Sequence, residues 1–209
     1  VTDEEHLRLV RERFDLRAST YDESPMHRGL AAGVAEFADL SGVDDVLDVA
    51  TGTGLVLRAL RGRGFTGALT GVDLAPAMLL VASGFLADAL LIESDAAELP
   101  LLAHTFDLVT CVTGLQLFPR PDAAIAEWTR VLRPGGRAIT ATFIRFDPNL
   151  HRAAPPPGYL NHQPFDSVSH LGETVAPAGF TVTRDTTWTD GADKLLVAEL
   201  TLDAPRAVP

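Results

Sequence analysis

The sequence predicts an α/β protein: a mostly parallel sheet with helices on both faces. Three observations predict it. Short apolar runs that read as strands recur along the chain, and helical spacing follows each of them. The first run breaks into glycines, and the next two end in acids, Asp73 and Asp95. The composition, 46% hydrophobic and 22% charged over 209 residues, is that of one globular domain with a sizeable core.

The elements follow in order. Residues 3–15 and 26–40 have helical spacing, with Leu7, Val10 and Phe14 on one face and Leu30, Val34 and Phe37 on another. A polar break, Ala18 to Asp22, separates them. Val46, Leu47 and Val49 form a strand pattern that runs into Gly52 and Gly54, and a helix pattern starts at Leu55. Ala68–Asp73 is the second strand, with Pro76 at the following helix start. Leu90-Leu91-Ile92 is the third and Phe106–Val112 the fourth. Val131-Leu132-Arg133-Pro134-Gly135-Gly136-Arg137 closes a helix and opens a fifth strand, Ala138–Phe143. Strand–helix alternation of this kind folds as a parallel sheet, since parallel neighbours need a crossover. A helix near 166–178 and strands near 180–188 and 194–202 complete the chain. The last two strands are joined by Thr189-Asp190-Gly191, and Asp-Gly favours a hairpin.

The glycine turn carries the first functional hint. Where a strand stops at glycines and restarts as a helix, free N–H groups and missing Cβ atoms let a polar small molecule approach the main chain. The dinucleotide fingerprint is incomplete, because Leu57 stands where its third glycine would be. No Gly-Lys-Ser/Thr follows, so a phosphate-binding P-loop is excluded. Asp73 lies about 20 residues further on, where a strand-end carboxylate accepts both hydroxyls of a ribose. Alone, Asp73 would read better as a plain helix N-cap.

A formal net charge of −11 argues against a nucleic-acid partner, which needs a basic face. The single cysteine, Cys111, falls inside a strand pattern, so neither a disulfide nor a cysteine-rich metal site is expected. No apolar stretch approaches membrane-spanning length and no signal peptide is evident, so a cytoplasmic location is expected. Val1 in place of Met suggests a start upstream of this chain.

The series VLDVATGTG, GVDLAPAML, SDAAELP, FDLVTCV and VLRPGGRAI resembles the class I S-adenosylmethionine-dependent methyltransferases. The similarity is greatest to the small-molecule group of ubiquinone/menaquinone-type and natural-product enzymes, and it covers residues 14–145. The resemblance implies a Rossmann-like seven-stranded sheet whose last strand is antiparallel, beneath an N-terminal helical cap. A single domain, 1–209, would then comprise a cap (1–40), a cofactor core (41–143), a substrate-side insert or lid (144–165) and a C-terminal helix and strand pair (166–209). S-adenosyl-L-methionine is the implied cofactor and S-adenosyl-L-homocysteine the product.

Site roles are implied position by position. Asp48, Ala50, Gly52 and Gly54 would cradle the methionine part, with Ala50 standing where the family's first glycine falls. Asp73 resembles the ribose acid and Leu74 the apolar residue beside the adenine. Asp95 matches the acid that accepts from the adenine amino group, and Ala96 the backbone donor to the ring. Carbonyls at Thr113 and Gly114 would meet the methionyl amine. Tyr21 and Arg28 fall in a segment that often folds over the cofactor, with Arg28 suited to the methionyl carboxylate or, equally, to a solvated helix face.

Methyl transfer from a sulfonium asks mainly for in-line placement, and a base only where the acceptor must lose a proton. Many relatives carry a histidine after strand four; here Gln116 stands near that position and cannot act as a base. His27, His151, His162, His170 and Tyr21 remain, while His104 and His6 read as surface residues. His162 and Tyr21 are the catalytic candidates. The Pro-rich insert follows the carboxyl end of strand five, where ligands bind in this fold. Tyr159, His162 and Phe165 are therefore expected to line an acceptor pocket with Tyr21 and Gln116. The expected acceptor is a small, partly apolar metabolite of secondary metabolism, and the protein is expected to be a monomer or homodimer. The same motifs would suit a cofactor-retaining enzyme of cyclisation, an RNA or protein methyltransferase, or a non-enzymatic cofactor-binding subunit.

Overall fold

The computed structural model describes residues 2–145 and 160–203. Its elements run α1 (Asp3–Arg17), a 3-10 turn (Ala18–Glu23), α2 (Pro25–Phe37), β1 (Asp45–Val49), α3 (Leu55–Gly62), β2 (Ala68–Asp73) and α4 (Pro76–Ser83). There follow β3 (Leu90–Glu93), β4 (Phe106–Val112), α5 (Pro121–Val131), β5 (Leu132–Arg145), α6 (Val168–Val175), β6 (Phe180–Thr189) and β7 (Lys194–Leu202). All strands join one seven-stranded sheet in the order β3-β2-β1-β4-β5-β7-β6. Strands β1 to β5 pair in parallel, and β7 runs antiparallel to both its neighbours. This is the expected architecture, antiparallel last strand included.

Local chemistry sets the element ends. The Thr2 hydroxyl caps α1 by accepting from the Glu5 N–H at 3.2 Å, and Asp3, Glu4 and Glu5 face the positive end of the helix dipole. Ser24 caps α2 ahead of Pro25, where a missing N–H costs nothing. The C-terminal helix is shorter than 166–178, because the chain tightens into a 3-10 turn at Ala176–Ala178 around Pro177. β5 is longer than Ala138–Phe143. Pro134-Gly135-Gly136 is absorbed as a register shift between the Phe106–Leu132 and Leu108–Arg137 pairs, with Gly135 at φ 78.

Each face of the sheet buries its own core. Trp128 of α5 and Leu171 of α6 pack on one face with Phe106, Phe165 and Phe180, all essentially inaccessible. Leu30 and Val34 of α2 and Leu57 and Leu60 of α3 cover the other. Adjacent strand residues alternate between them: Val46 and Leu108 join the α2/α3 side, Leu47 and Val109 the α5/α6 side. Each such side chain contributes about 1.5–3 kcal/mol by leaving water. Helix α1 differs, having no buried residue at all. It rides on α4 beside a small cluster of Ala18, Ala75 and Met78, with Phe14 and Tyr21 partly buried against it. Among the described residues, no helix is long and apolar enough to cross a membrane, and no group of His, Cys, Asp or Glu could hold a metal ion.

Candidate functional site

The order in which strands are added reverses at β1, which lies between β2 and β4 and is parallel to both. Connections leave β1 and β4 in opposite directions there, opening a crevice at the strands' carboxyl ends. Two adjoining cavities occupy it, of about 680 Å³ and about 390 Å³. Tyr21, Ala50, Gly52, Val112 and Thr113 line both and so mark their junction.

The turn after β1 builds the floor. Thr51 N–H donates to the Val72 carbonyl at 3.0 Å and Gly54 N–H to the Thr51 carbonyl at 2.9 Å. Ala50, Gly52 and Gly54 all take left-handed backbone, at φ 57, 55 and 77. A Cβ on Gly52 would meet no protein atom within 4 Å, so its open side belongs to the cleft. Gly54 has a different neighbour: its Cβ would come within 2.6 Å of Leu86 Cδ1. It therefore lets α3 approach the segment after α4, and it lines neither cavity.

Two strand-end acids face the larger cavity. Asp73 accepts from Gly52 N–H at 2.7 Å and from Ala75 N–H at 2.9 Å. Burial raises its pKa above the usual carboxylate range, while hydrogen bonds from Ala75, Gly52 and Leu74 pull the other way. Asp95 accepts from Ala97 N–H at 3.0 Å on one oxygen and from the Arg120 guanidinium at 3.0 Å on the other. Leu74 and Ala96 line the same cavity beside these acids. Asp48 lies deeper, at the smaller cavity, accepting from the Thr110 hydroxyl at 2.6 Å. Burial pushes its carboxyl up to about 7.

Helix α1 roofs the larger cavity with Leu7, Val10 and Phe14, the stripe legible in the sequence. Polar ties hold it down. His6 Nε2 lies 2.8 Å from the Leu117 carbonyl, Asp15 accepts from Ala77 N–H at 2.9 Å, and Arg11 pairs with Glu93 at 2.9 Å. The 3-10 turn is fastened to the glycine turn through Asp22, whose carboxylate accepts from Thr53 and from Arg58. Tyr21, next to it, stacks on His27 with centroids 4.2 Å apart. Burial pushes the Tyr21 phenol up to about 12, with Arg17 opposing. At neutral pH Tyr21 is thus a hydrogen-bond donor rather than a base.

Of the residues expected at the site, Tyr21, Ala50, Gly52, Asp73, Leu74, Asp95, Ala96, Thr113 and Gly114 come together on the larger cavity and Asp48 on the smaller. Others lie elsewhere. Arg28 is exposed and donates to the Asp22 carbonyl, outside both linings. Gln116 is 4% exposed and turned inward, its amide donating to the Thr113 carbonyl at 2.6 Å. Phe165 is 1% exposed, part of the α5/α6-side core rather than a pocket wall, and its carbonyl accepts from Thr142. His162 packs edge-on to Phe143 and lines neither cavity. His170 pairs with Asp166 at 2.6 Å. Tyr159 and His151 lie outside the described residues. His6, expected on a solvated face, is half-buried against Leu117. His27, kept among the candidate bases but not among the expected site residues, lines the smaller cavity; it precedes Leu30 and Ala31 by three and four residues, so helical spacing puts it on their face.

A glycine floor, strand-end acids and an apolar roof at this switch point define a protein that binds a nucleoside-bearing cofactor. A family model, Methyltransferase domain, matches residues 47–140. The chain is 34% identical to the ubiquinone/menaquinone biosynthesis C-methyltransferase UbiE of Burkholderia vietnamiensis, over 73% of this chain and 68% of that one. It is 35% identical to the UbiE of Teredinibacter turnerae, over 66% and 63%. The chain belongs to the class I S-adenosylmethionine-dependent methyltransferases, and it spans about two thirds of the length of these curated relatives. Among solved structures, it superposes on the methyltransferase of the complex with the Haloferax volcanii Trm112 methyltransferase activator with a TM-score of 0.77 at 21% identity, covering 95% of this chain and 100% of that one. The [4+2]-cyclase SpnF gives 0.67 at 20% identity, covering 85% and 82%. These likenesses are of fold.

Proposed function

We propose that the protein transfers the methyl group of S-adenosylmethionine to a small, partly apolar metabolite, releasing S-adenosylhomocysteine. The observation that carries this is the pair Asp73 and Asp95, at the ends of the adjacent strands β2 and β3, with the open side of Gly52 beside them beyond β1. The residues present fit the group: a glycine that a Cβ would block, and carboxylates suited to hydroxyl and amino donors. Asp73 would hold the ribose and Asp95 the adenine edge, with Leu74 and Ala96 against the ring. The carbonyls of Ala50 and Thr113, at the junction of the cavities, would receive the methionyl amine.

The bound sulfonium supplies an already activated methyl group. The chain's own work is to orient it and exclude water, and proximity of this sort is worth several kcal/mol. Leu7, Val10, Phe14, Leu117 and Phe118 make an apolar wall that suits a partly apolar acceptor better than a polyanion, in line with the net charge of −11. Tyr21, protonated at neutral pH, would offer a hydrogen-bond donor at the junction.

Isothermal calorimetry with S-adenosylmethionine and S-adenosylhomocysteine tests the cofactor. Mass spectrometry of acceptor mixtures tests the reaction, by a gain of one methyl. Absence of binding at millimolar ligand would refute the assignment. An isomerised product without mass gain would replace transfer by cyclisation.

A further inference from the structure

Arg120 stands at the start of α5, at the end of the segment that carries Leu117 and Phe118 into the cavity wall. Its guanidinium does not reach the cavity. It reaches Asp95, donating at 3.0 Å to the carboxylate oxygen that Ala97 N–H leaves free, and it donates at 3.1 Å to Glu98. Its Nε lies 3.9 Å from the Asp3 carboxylate, at the tip of the α1 roof. One side chain thus grips the cavity acid and neighbours the roof.

From this geometry we infer that Arg120 is a positioning residue that sets the selectivity of the cleft for a 6-amino purine. The inference rests on the reading that Asp95 meets the base. A carboxylate that is ionised and held in one rotamer offers only acceptor lone pairs toward the cavity. It matches the amino group of adenine and opposes the carbonyl of a 6-oxo purine, leaving two acceptors face to face. Both Asp95 oxygens are already anchored, Oδ1 by the backbone and Oδ2 by Arg120, so the carboxylate cannot rotate to relieve that mismatch. Without Arg120, the Ala97 N–H is the one remaining hydrogen bond to this carboxylate among the described residues. The acid is then free to turn away from the base, and the distinction between the two bases shrinks. Lysine at this place keeps the charge but not the planar fork, so it restores the orientation only in part.

The test measures dissociation constants of S-adenosylhomocysteine and its inosine counterpart, S-inosylhomocysteine, for the wild-type chain, R120M, R120K and D95N. The wild type should prefer the adenine ligand. R120M should lose about tenfold of that preference, the scale of one charge-assisted hydrogen bond, with R120K in between. Unfolding midpoints show whether each variant is folded, and R120K carries the comparison if R120M is not. If the R120 variants bind both ligands more weakly but in the wild-type ratio, Arg120 is merely structural and the inference falls. If D95N loses the preference and R120M keeps it, Asp95 reads the base unaided, and only the role given to Arg120 fails. A wild-type chain that binds neither ligand would overturn the reading of the cleft and the inference together.

Discussion

The backbone N–H of Gly52 donates to the Asp73 carboxylate across 2.7 Å, fastening the turn after β1 to the end of β2. The same carboxylate takes the Ala75 N–H that starts α4. Asp73 therefore both lines the cleft and staples the turn that shapes its floor. Asp73→Ala strands two backbone donors and should cost about 1–3 kcal/mol of stability while abolishing measurable cofactor binding. Asp73→Asn keeps one acceptor oxygen, so it should recover much of the stability and little of the affinity. Urea unfolding and calorimetry on the two variants separate these roles. Equal cofactor affinity in Asp73→Ala and wild type would remove Asp73 from the site.

Asp48 makes stability depend on pH. Its carboxyl is raised by burial from an ordinary 3.8 to about 7, so the fold favours the neutral form. A raised folded pKa gives stability that is fully present below about 4 and is lost as pH rises through about 7. Asp48→Asn keeps an acceptor for the Thr110 hydroxyl without a charge. Relative to wild type, it should gain stability from pH 4.5 to about 7 and then level off, by ~4 kcal/mol at most. A difference that stays flat across that range, in urea titrations at matched ionic strength, would show that Asp48 does not titrate in it.

Much of this site was legible in the sequence because it sits where strands end. Apolar runs located β2, β3 and β4, and the residues at or just beyond their ends could only lie at the carboxyl edge, which placed Asp73, Asp95 and Thr113. Residues away from strand ends were harder. Phe165 follows Pro164 in a polar neighbourhood, and an aromatic there reads alike as a pocket wall or as a core plug; the sheet face decides, and it belongs to the core. Arg28 and His27 are adjacent on one helix, and only the phase of α2 against its partners separates them. Arg120 escaped notice because its partners, Asp95 and Glu98, are distant in sequence, so no spacing rule connects them.

The placements of Phe165 and Arg28 lead to a paired expectation. Phe165→Leu should lower stability by about 1–3 kcal/mol through a void beside the Thr142 and Leu171 region, with the acceptor Michaelis constant unchanged. Arg28→Ala should leave cofactor affinity within about twofold, under 0.5 kcal/mol, because its guanidinium serves the Asp22 carbonyl outside the cavities. Steady-state kinetics with thermal unfolding checks both. A large rise in acceptor Michaelis constant for Phe165→Leu, or a loss of cofactor affinity for Arg28→Ala, would return that residue to the site.

Ala50 and Gly52 share left-handed backbone but differ in what a methyl group there would do. At φ 57 the Ala50 Cβ is strained, so Ala50→Gly should stabilise the fold by up to ~1 kcal/mol with cofactor affinity retained. Gly52→Ala introduces a comparable strain at φ 55, again about 1 kcal/mol. Its new methyl, however, meets no protein atom and projects into the open cleft. The loss of cofactor affinity should then exceed the loss of stability, by about tenfold or more in dissociation constant. Calorimetry at a temperature where both variants are fully folded distinguishes strain from blockage. Should Gly52→Ala bind cofactor as tightly as wild type, the ligand does not lie over this turn, and the floor of the site must be sought elsewhere.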